Sequence, residues 1–313
     1  MPLPDKYINP FTDFGFKKLF GSEPNKDLLI DFLNQVLPEK HRVQELSYSP
    51  NEQLGNTDID RKAIFDIYCI GTNGERFIVE MQKAKQNYFK ERSVYYSSFP
   101  IQEQGWKGGW NFQLAAVYLI GILDFVFSED EESQEVRHEI QLRDTHCRVF
   151  YEKLTYIYLE MPNFHKTETE LETNFDKWMY VLQQLPNLQK RPRALQERVF
   201  KKLFDTAEIA RFTPDDRSSY ERSLKYYRDL KNVVDTSYEE GKAEGREEGI
   251  AEGKAEGLAE GMEKGLAEGM EKGLAEGMEK GRWGIALQMK QEGESLDKIS
   301  RLTGLSREDI EKL

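Results

Sequence analysis

Residues 61–83 read Arg-Lys-Ala-Ile-Phe-Asp-Ile-Tyr-Cys-Ile-Gly-Thr-Asn-Gly-Glu-Arg-Phe-Ile-Val-Glu-Met-Gln-Lys, and the way this stretch pairs with itself decides the fold. Asn73-Gly74 marks a tight hairpin turn, because both residues tolerate the positive φ that such turns demand. The flanking runs, rich in Ile, Val, Phe and Tyr, then become antiparallel neighbours. With the turn centred near Asn73, Asp66 and Glu80 lie at similar distances from it and are expected to face each other, with Cβ atoms about 4.5–5.5 Å apart. Two carboxylates at that spacing repel, and strand chemistry alone gives no reason to tolerate them. A divalent cation removes the repulsion: magnesium prefers hard oxygen ligands and is commonly held by one or two carboxylates, with water and substrate phosphate filling the rest. Side chains alternate along a strand, so Gln82 shares the Glu80 face while Met81 and Lys83 point the other way. A neutral amide can orient a water or a phosphate oxygen but brings no positive charge to a transition state. Lys85, beyond the regular strand, could swing back to supply one.

Outward from the hairpin, the pattern alternates between helix and strand. Asp13–Phe20 and Asp27–Leu37 carry apolar residues at helical spacing, with Gly21 and Pro24 between them and Pro38 after. Strands are predicted at Val43–Tyr48, Ala63–Ile70, Phe77–Gln82, Phe112–Ile120, Val136–Leu142 and Leu154–Glu160. Asn87–Glu103 is predicted as a helix covering one sheet face. Further helices follow at Phe175–Leu185, Ala194–Ala210 and Arg217–Thr236, punctuated by Pro186, Pro192 and Pro214. This is an α/β protein: a mixed sheet flanked by helices, then a helical extension.

Composition limits what such a chain can do. Its 313 residues suffice for one α/β core with appendages. The longest apolar run, Leu114 to Leu123, has about half of the roughly 20 residues a membrane-spanning helix needs, so no membrane partner is expected. The start of the chain lacks the basic and apolar pattern of a secretory signal, and the two cysteines, Cys69 and Cys147, are too few for a disulfide framework. A reducing, cytoplasmic setting is expected. A net charge of −12 argues against coating nucleic acid through bulk electrostatics and leaves local basic patches as the means of DNA contact. His41, His138, His146 and His165 lack metal-ligand spacing, and no nucleotide-binding glycine loop follows a strand.

From Gly241 to Gly281 glycine recurs at every fourth position, an internal repeat. On a helix that period advances about 40° per repeat, and each glycine costs about 1 kcal/mol relative to alanine. Two readings stand: a frayed helical spacer, or a helix through which the chain forms a homo-oligomer. The last segment resembles a helix-turn-helix hinged at Gly304, with Ile299, Leu302, Leu305 and Ile310 as its small core. Glu308, Asp309 and Glu311 would place negative charge against the major groove, which favours a helical cap or protein contact.

Six segments, in order, carry a resemblance to a known family: Thr12-Asp-Phe-Gly-Phe-Lys-Lys-Leu-Phe-Gly, Arg61-Lys-Ala-Ile-Phe-Asp-Ile-Tyr-Cys, Val79-Glu-Met-Gln-Lys, Glu91-Arg-Ser-Val-Tyr-Tyr, Ala116-Val-Tyr-Leu-Ile-Gly-Ile-Leu-Asp-Phe and Leu159-Glu-Met-Pro-Asn-Phe. The run from Asn9 to about Phe164 resembles the PD-(D/E)XK nuclease family transposases, closely related to the Rpn family recombination-promoting nucleases. The resemblance implies a restriction-endonuclease-like sheet, metal-dependent cleavage of DNA phosphodiesters, and links to recombination, mobile elements and defence. Asp66 matches the motif aspartate, Glu80 the glutamate and Gln82 the third position, where the wider superfamily has lysine and this branch usually has glutamine.

The expected mechanism is in-line attack of water on a DNA phosphate, with Asp66, Glu80 and the Met81 backbone carbonyl holding one or two Mg2+ ions. Asp13 is a further candidate acid, weighed against the commoner role of capping its helix. Lys17, Lys18, Lys90 and Arg92, among other cations interleaved with Tyr88, Phe89, Tyr95, Tyr96, Trp106 and Trp110, are candidates to contact DNA; the other reading places the aromatics in the core under the crossing helix. Four segments are expected: residues 1–168 nuclease-like, 169–236 helical extension, 237–281 repeat tail and 282–313 helix-turn-helix-like. The competing function is a non-catalytic nucleic-acid- or protein-binding module that oligomerises through its repeat.

Overall fold

In the computed structural model, which describes residues 5–38, 40–53, 63–105, 111–126 and 134–313, Gly74 takes φ +81° and closes the turn between two antiparallel strands. Leu46–Tyr48 is β1, Glu52–Gln53 β2, Ala63–Ile64 β3, and the two hairpin strands are β4 (Ile67–Gly71) and β5 (Arg76–Gln82). Val117–Leu123 is β6, Arg137–Arg143 β7 and Val149–Glu160 β8. The six-stranded sheet has the order β1-β4-β5-β6-β8-β7, and β2 pairs with β3 separately. β5, β6 and β8 are parallel while the other neighbours are antiparallel, so the sheet is mixed. A parallel strand covered on both faces needs apolar residues throughout, and β6, Val-Tyr-Leu-Ile-Gly-Ile-Leu, is buried at every position.

The helices are α1 (Asp13–Phe20), α2 (Lys26–Val36), α3 (Phe89–Glu103), α4 (Asn174–Gln184), α5 (Arg198–Ala207), α6 (Pro214–Gln291), α7 (Leu296–Thr303) and α8 (Arg307–Glu311). Phe77, Val79, Met81, Tyr118, Ile120 and Ile122 turn one sheet face into a core shared with α1, α2, α4 and α5. Ile78, Leu119, Leu123, Tyr156 and Tyr158 on the other face pack with Phe89 of α3. Phe89, Ser93, Ser97 and Pro100 are the buried side of α3, a stripe at helical spacing. Its two serines are small enough to let the helix approach the sheet, and Ser97 Oγ lies 2.8 Å from the Tyr156 hydroxyl.

Residues 169–236, set apart in the sequence, join this core. Trp178 of α4 is fully buried, and its indole N–H donates to Asp31 Oδ1 of α2 at 2.7 Å. The chain divides into two units, Met1–Asp235 and Thr236–Leu313. In the second, Ala286, Ile299 and Ile310 are buried together with Met289, Leu296 and Leu305 against them. Gly304, at φ +73°, joins α7 to α8. Leu302, expected in that small core, is instead 62% exposed, because a helix of eight residues turns only part of its circumference inward.

Other departures from the sequence reading have local causes. β6 starts at Val117 rather than Phe112, since Phe112 has φ +61° and cannot enter a ladder. The segment Ala63–Ile70 is interrupted at Phe65 and Asp66. The helix expected to end at Thr236 continues to Gln291. Thr12, not Asp13, caps α1, its hydroxyl accepting from Gly15 N at 3.0 Å.

Candidate active site

The interruption before β4 makes the site. Phe65 N donates to the Asn51 carbonyl at 2.9 Å and Asn51 Nδ2 donates to the Asp66 carbonyl at 2.9 Å, holding Asp66 in a bend. Extending the register Ile67↔Val79 by one step sets Asp66 opposite Glu80. Released from the ladder, Asp66 engages β5 twice: its N–H donates to Glu80 Oε1 at 3.2 Å, and its Oδ2 accepts from Met81 N at 2.8 Å. Glu80 and Gln82 share one face and are 5% and 8% exposed. Gln82 Nε2 donates to Glu80 Oε2 at 3.2 Å. The structure therefore brings Asp66, Glu80 and Gln82 together.

Burial, and then the Asp66 charge, push the Glu80 carboxyl up to about 8; the Asp66 N–H, the Arg92 guanidinium and the Gln82 amide pull the other way. Asp66 is raised as well, chiefly by burial and in part by the charge of Asp13, with the Met81 N–H, Lys17 and Lys83 opposing. Two neighbouring acids are thus held where ionising both is unfavourable. Burial of a charge without a partner is expensive, so the pair is suited to a cation.

Lys83 follows the strand, and Asp13, Asp66 and Lys17 are the charges that act on it. β5 ends at Gln82, and the two-residue alternation ends with it. The Lys83 ammonium is lowered by burial and raised by Asp13 and Asp66, and it lies 5.4 Å from the centre of the Tyr226 ring in α6. Lys85, which lies beyond the strand and could have swung back, is exposed.

The remaining candidates divide. Asp13 and Lys17 form an ion pair at 2.9 Å on α1, and both charges act on Asp66. Lys18 pairs with Asp216 of α6 at 2.9 Å. Lys90 is exposed on α3. Arg92 is turned inward, with Nη2 donating to Gln82 Oε1 at 2.5 Å. Phe89 and Tyr96 belong to the core under α3, whereas Tyr88 is 77% exposed and Tyr95 42% exposed. Trp106, Lys107, Trp110, Arg61 and Lys62 lie outside the described residues.

Sequence reasoning also missed Asp124. It follows β6, where its N–H donates to the Gln82 carbonyl at 2.9 Å. Its carboxyl, raised by burial, accepts from the Tyr227 hydroxyl of α6 at 2.8 Å. The start of α6 thereby reaches the same end of the parallel strands as Gln82.

A small divalent cation fits this donor set. The buried Glu80 carboxylate and the half-buried Asp66 carboxylate offer hard oxygens, and such an ion usually keeps several waters. Among the described residues no group of three or more His, Cys, Asp or Glu side chains is placed to hold a metal, so water and phosphate would supply the remaining positions. No described helix is long and apolar enough to cross a membrane.

The family model described as PD-(D/E)XK nuclease family transposase matches residues 10–237. No curated protein and no solved structure matches the chain.

Proposed function

The chain belongs to the PD-(D/E)XK nuclease family transposases, and we propose that it is a magnesium-dependent endonuclease cutting DNA phosphodiester bonds in the cytoplasm, in recombination, mobile-element movement or defence. The observation that carries this reading is the Asp66–Glu80 pair. The two acids adjoin on the hairpin, Glu80 is 5% exposed, and burial with Asp66's charge pushes its carboxyl up to about 8. A fold gains no stability from such a pair unless a cation joins it.

In this reading Asp66, Glu80 and the Met81 carbonyl would hold the ion. A bound divalent ion supplies Lewis acidity, which lowers the pKa of a water and takes up charge developing on the phosphate. Asp66 and Glu80 bind in their ionised forms. Gln82, whose amide already contacts Glu80, orients the attacking water or a phosphate oxygen. Lys83 contributes the positive charge that Gln82 lacks, close to Asp66, where a phosphate oxygen would carry negative charge.

Purified protein incubated with supercoiled plasmid and Mg2+ tests the reading. Nicking or linearisation is expected, and EDTA, Asp66→Ala and Glu80→Ala should each abolish it. Equal cutting by either variant would defeat the site assignment.

For the second unit, the same proposal includes a homo-oligomer through the repeat. Leu258, Met262, Leu266, Met270, Leu274 and Met278 are 59–69% exposed, and a Cβ added at any repeat glycine would meet no other group within 4 Å. A regular series of exposed apolar side chains on a polar helix favours contact with another helix.

A further inference from the structure

Gln82 is a weak substitute for a lysine unless something fixes which end of its amide faces the acid. A glutamine side chain carries a donor and an acceptor on a freely turning bond. Placed beside Glu80 with the ends reversed, its oxygen would meet a carboxylate oxygen and repel it. The observed orientation is the productive one: Nε2 donates to Glu80 Oε2 at 3.2 Å.

The partner on the other end comes from α3. Arg92 Nη2 donates to Gln82 Oε1 at 2.5 Å, and its Nη1 donates to Gln86 Oε1. An arginine has no acceptor, so only the amide oxygen of Gln82 can face it. The guanidinium is itself held in place, with its central carbon 5.3 Å from the centre of the Phe89 ring and 5.8 Å from that of Tyr96. Those rings precede and follow Arg92 by three and four residues on α3, the spacing at which helix side chains meet. Phe89 is buried and Tyr96 is packed against the core beneath α3. A planar fork with fixed donors, flanked by two aromatic rings, is a rigid clamp that a lysine would not reproduce.

We propose that Arg92 is a positioning residue for the catalytic hairpin: from α3 it fixes the Gln82 amide so that Nε2 points at Glu80 and the reacting phosphate. This assigns Arg92 to the interior of the site rather than to the DNA-contacting cations among which the sequence placed it. The kinetic part of the claim rests on the nuclease reading; the orientation of the amide does not.

Two measurements on the full chain separate these. The first is plasmid cleavage by wild type, Arg92→Ala, Arg92→Lys, Gln82→Ala and the Arg92→Ala/Gln82→Ala double variant. For Arg92→Ala we expect kcat to fall about 100-fold, the scale of a misplaced catalytic group, with KM for DNA within about 2-fold. Arg92→Lys should recover little of the loss, and the double variant should be no worse than Gln82→Ala, since both changes break one device. A raised KM at unchanged kcat, full rescue by lysine, or multiplying losses in the double variant would overturn the proposal. The second is the side-chain amide signal of Gln82 in 15N-labelled, metal-free protein. It should be displaced from free-glutamine positions in wild type and return to them in Arg92→Ala while the backbone signals of β5 stay put. If the wild type cuts no DNA, the nuclease reading fails, and this signal alone decides: an amide unmoved by Arg92→Ala would overturn the positioning role.

Discussion

Glu80 is the residue at which stability and function oppose each other. Its carboxyl stands at about 8 in the fold against an ordinary 4.5, so the folded state holds the proton more tightly than the unfolded chain. Its contribution to stability is therefore fully present below about pH 4.5 and is lost as the pH rises through about 8. Metal-free protein should melt at a lower temperature at pH 8.5 than at pH 6, and Glu80→Gln should remove much of that difference. At pH 8.5 the glutamine variant should be more stable by on the order of 1–3 kcal/mol, from relief of a buried charge repulsion, and calorimetric melting checks it. Lys83 yields a second prediction at this scale. Lys83→Met should reduce kcat about 10-fold or more, on the scale of losing a charge-stabilising group, whereas Lys85→Met should leave cleavage near wild type. The opposite ranking would return the role to Lys85. In the sequence, alternation placed Glu80 and Gln82 on one face, but that the Lys83 charge would act on Asp66 was not legible, because its other neighbours, Asp13 and Tyr226, come from distant helices.

At the scale of elements, the site depends on three parallel strands ending together. Glu80 is in register with Gly121 of β6, and Gly121 with Tyr158 of β8. A Cβ at Gly121 would stand 2.8 Å from Tyr158 Cδ1, so the absent side chain is what lets the tyrosine ring lie beside the row that carries Glu80. Gly121→Ala should push that ring aside and destabilise the protein by about 1–3 kcal/mol, typical of overpacking in a core. A melting temperature within a degree of wild type would show that the ring has room to yield. The hairpin was legible from Asn73-Gly74 and its flanking apolar runs, and α3 from its aromatic spacing. The break at Asp66 was not, since its hydrogen bonds come from Asn51, a long-range partner that no local pattern announces. The inward turn of Arg92 escaped notice for a similar reason: in sequence it is one cation among several, and only the packing of Phe89 and Tyr96 aims it at Gln82.

For the whole molecule, the family match ends at residue 237, and the first unit ends at Asp235. The helical extension therefore belongs with the nuclease core, where Asp216, Ser223 and Tyr227 bond to Lys18, Phe14 and Asp124. Hydrophobic periodicity announced those helices, but not that they would reach the site. The repeat left two readings open, and its exposed Leu and Met residues, recurring at every fourth position, advance around the helix by the same roughly 40° per step as the glycines. Deleting residues 241–281 should lower the mass in solution to that of a single shortened chain while plasmid cleavage persists. An unchanged assembly state would make the repeat a spacer.

The claim on which the account turns is that the two hairpin acids hold a divalent ion. Calorimetric titration of Mn2+, as a stand-in for Mg2+, into wild type, Asp66→Asn and Glu80→Gln at pH 7.5 measures this without requiring turnover. The account predicts one or two ions per wild-type chain, with protons released on binding, and loss of that binding in both variants. Undiminished binding to a variant, or none to the wild type, would contradict it.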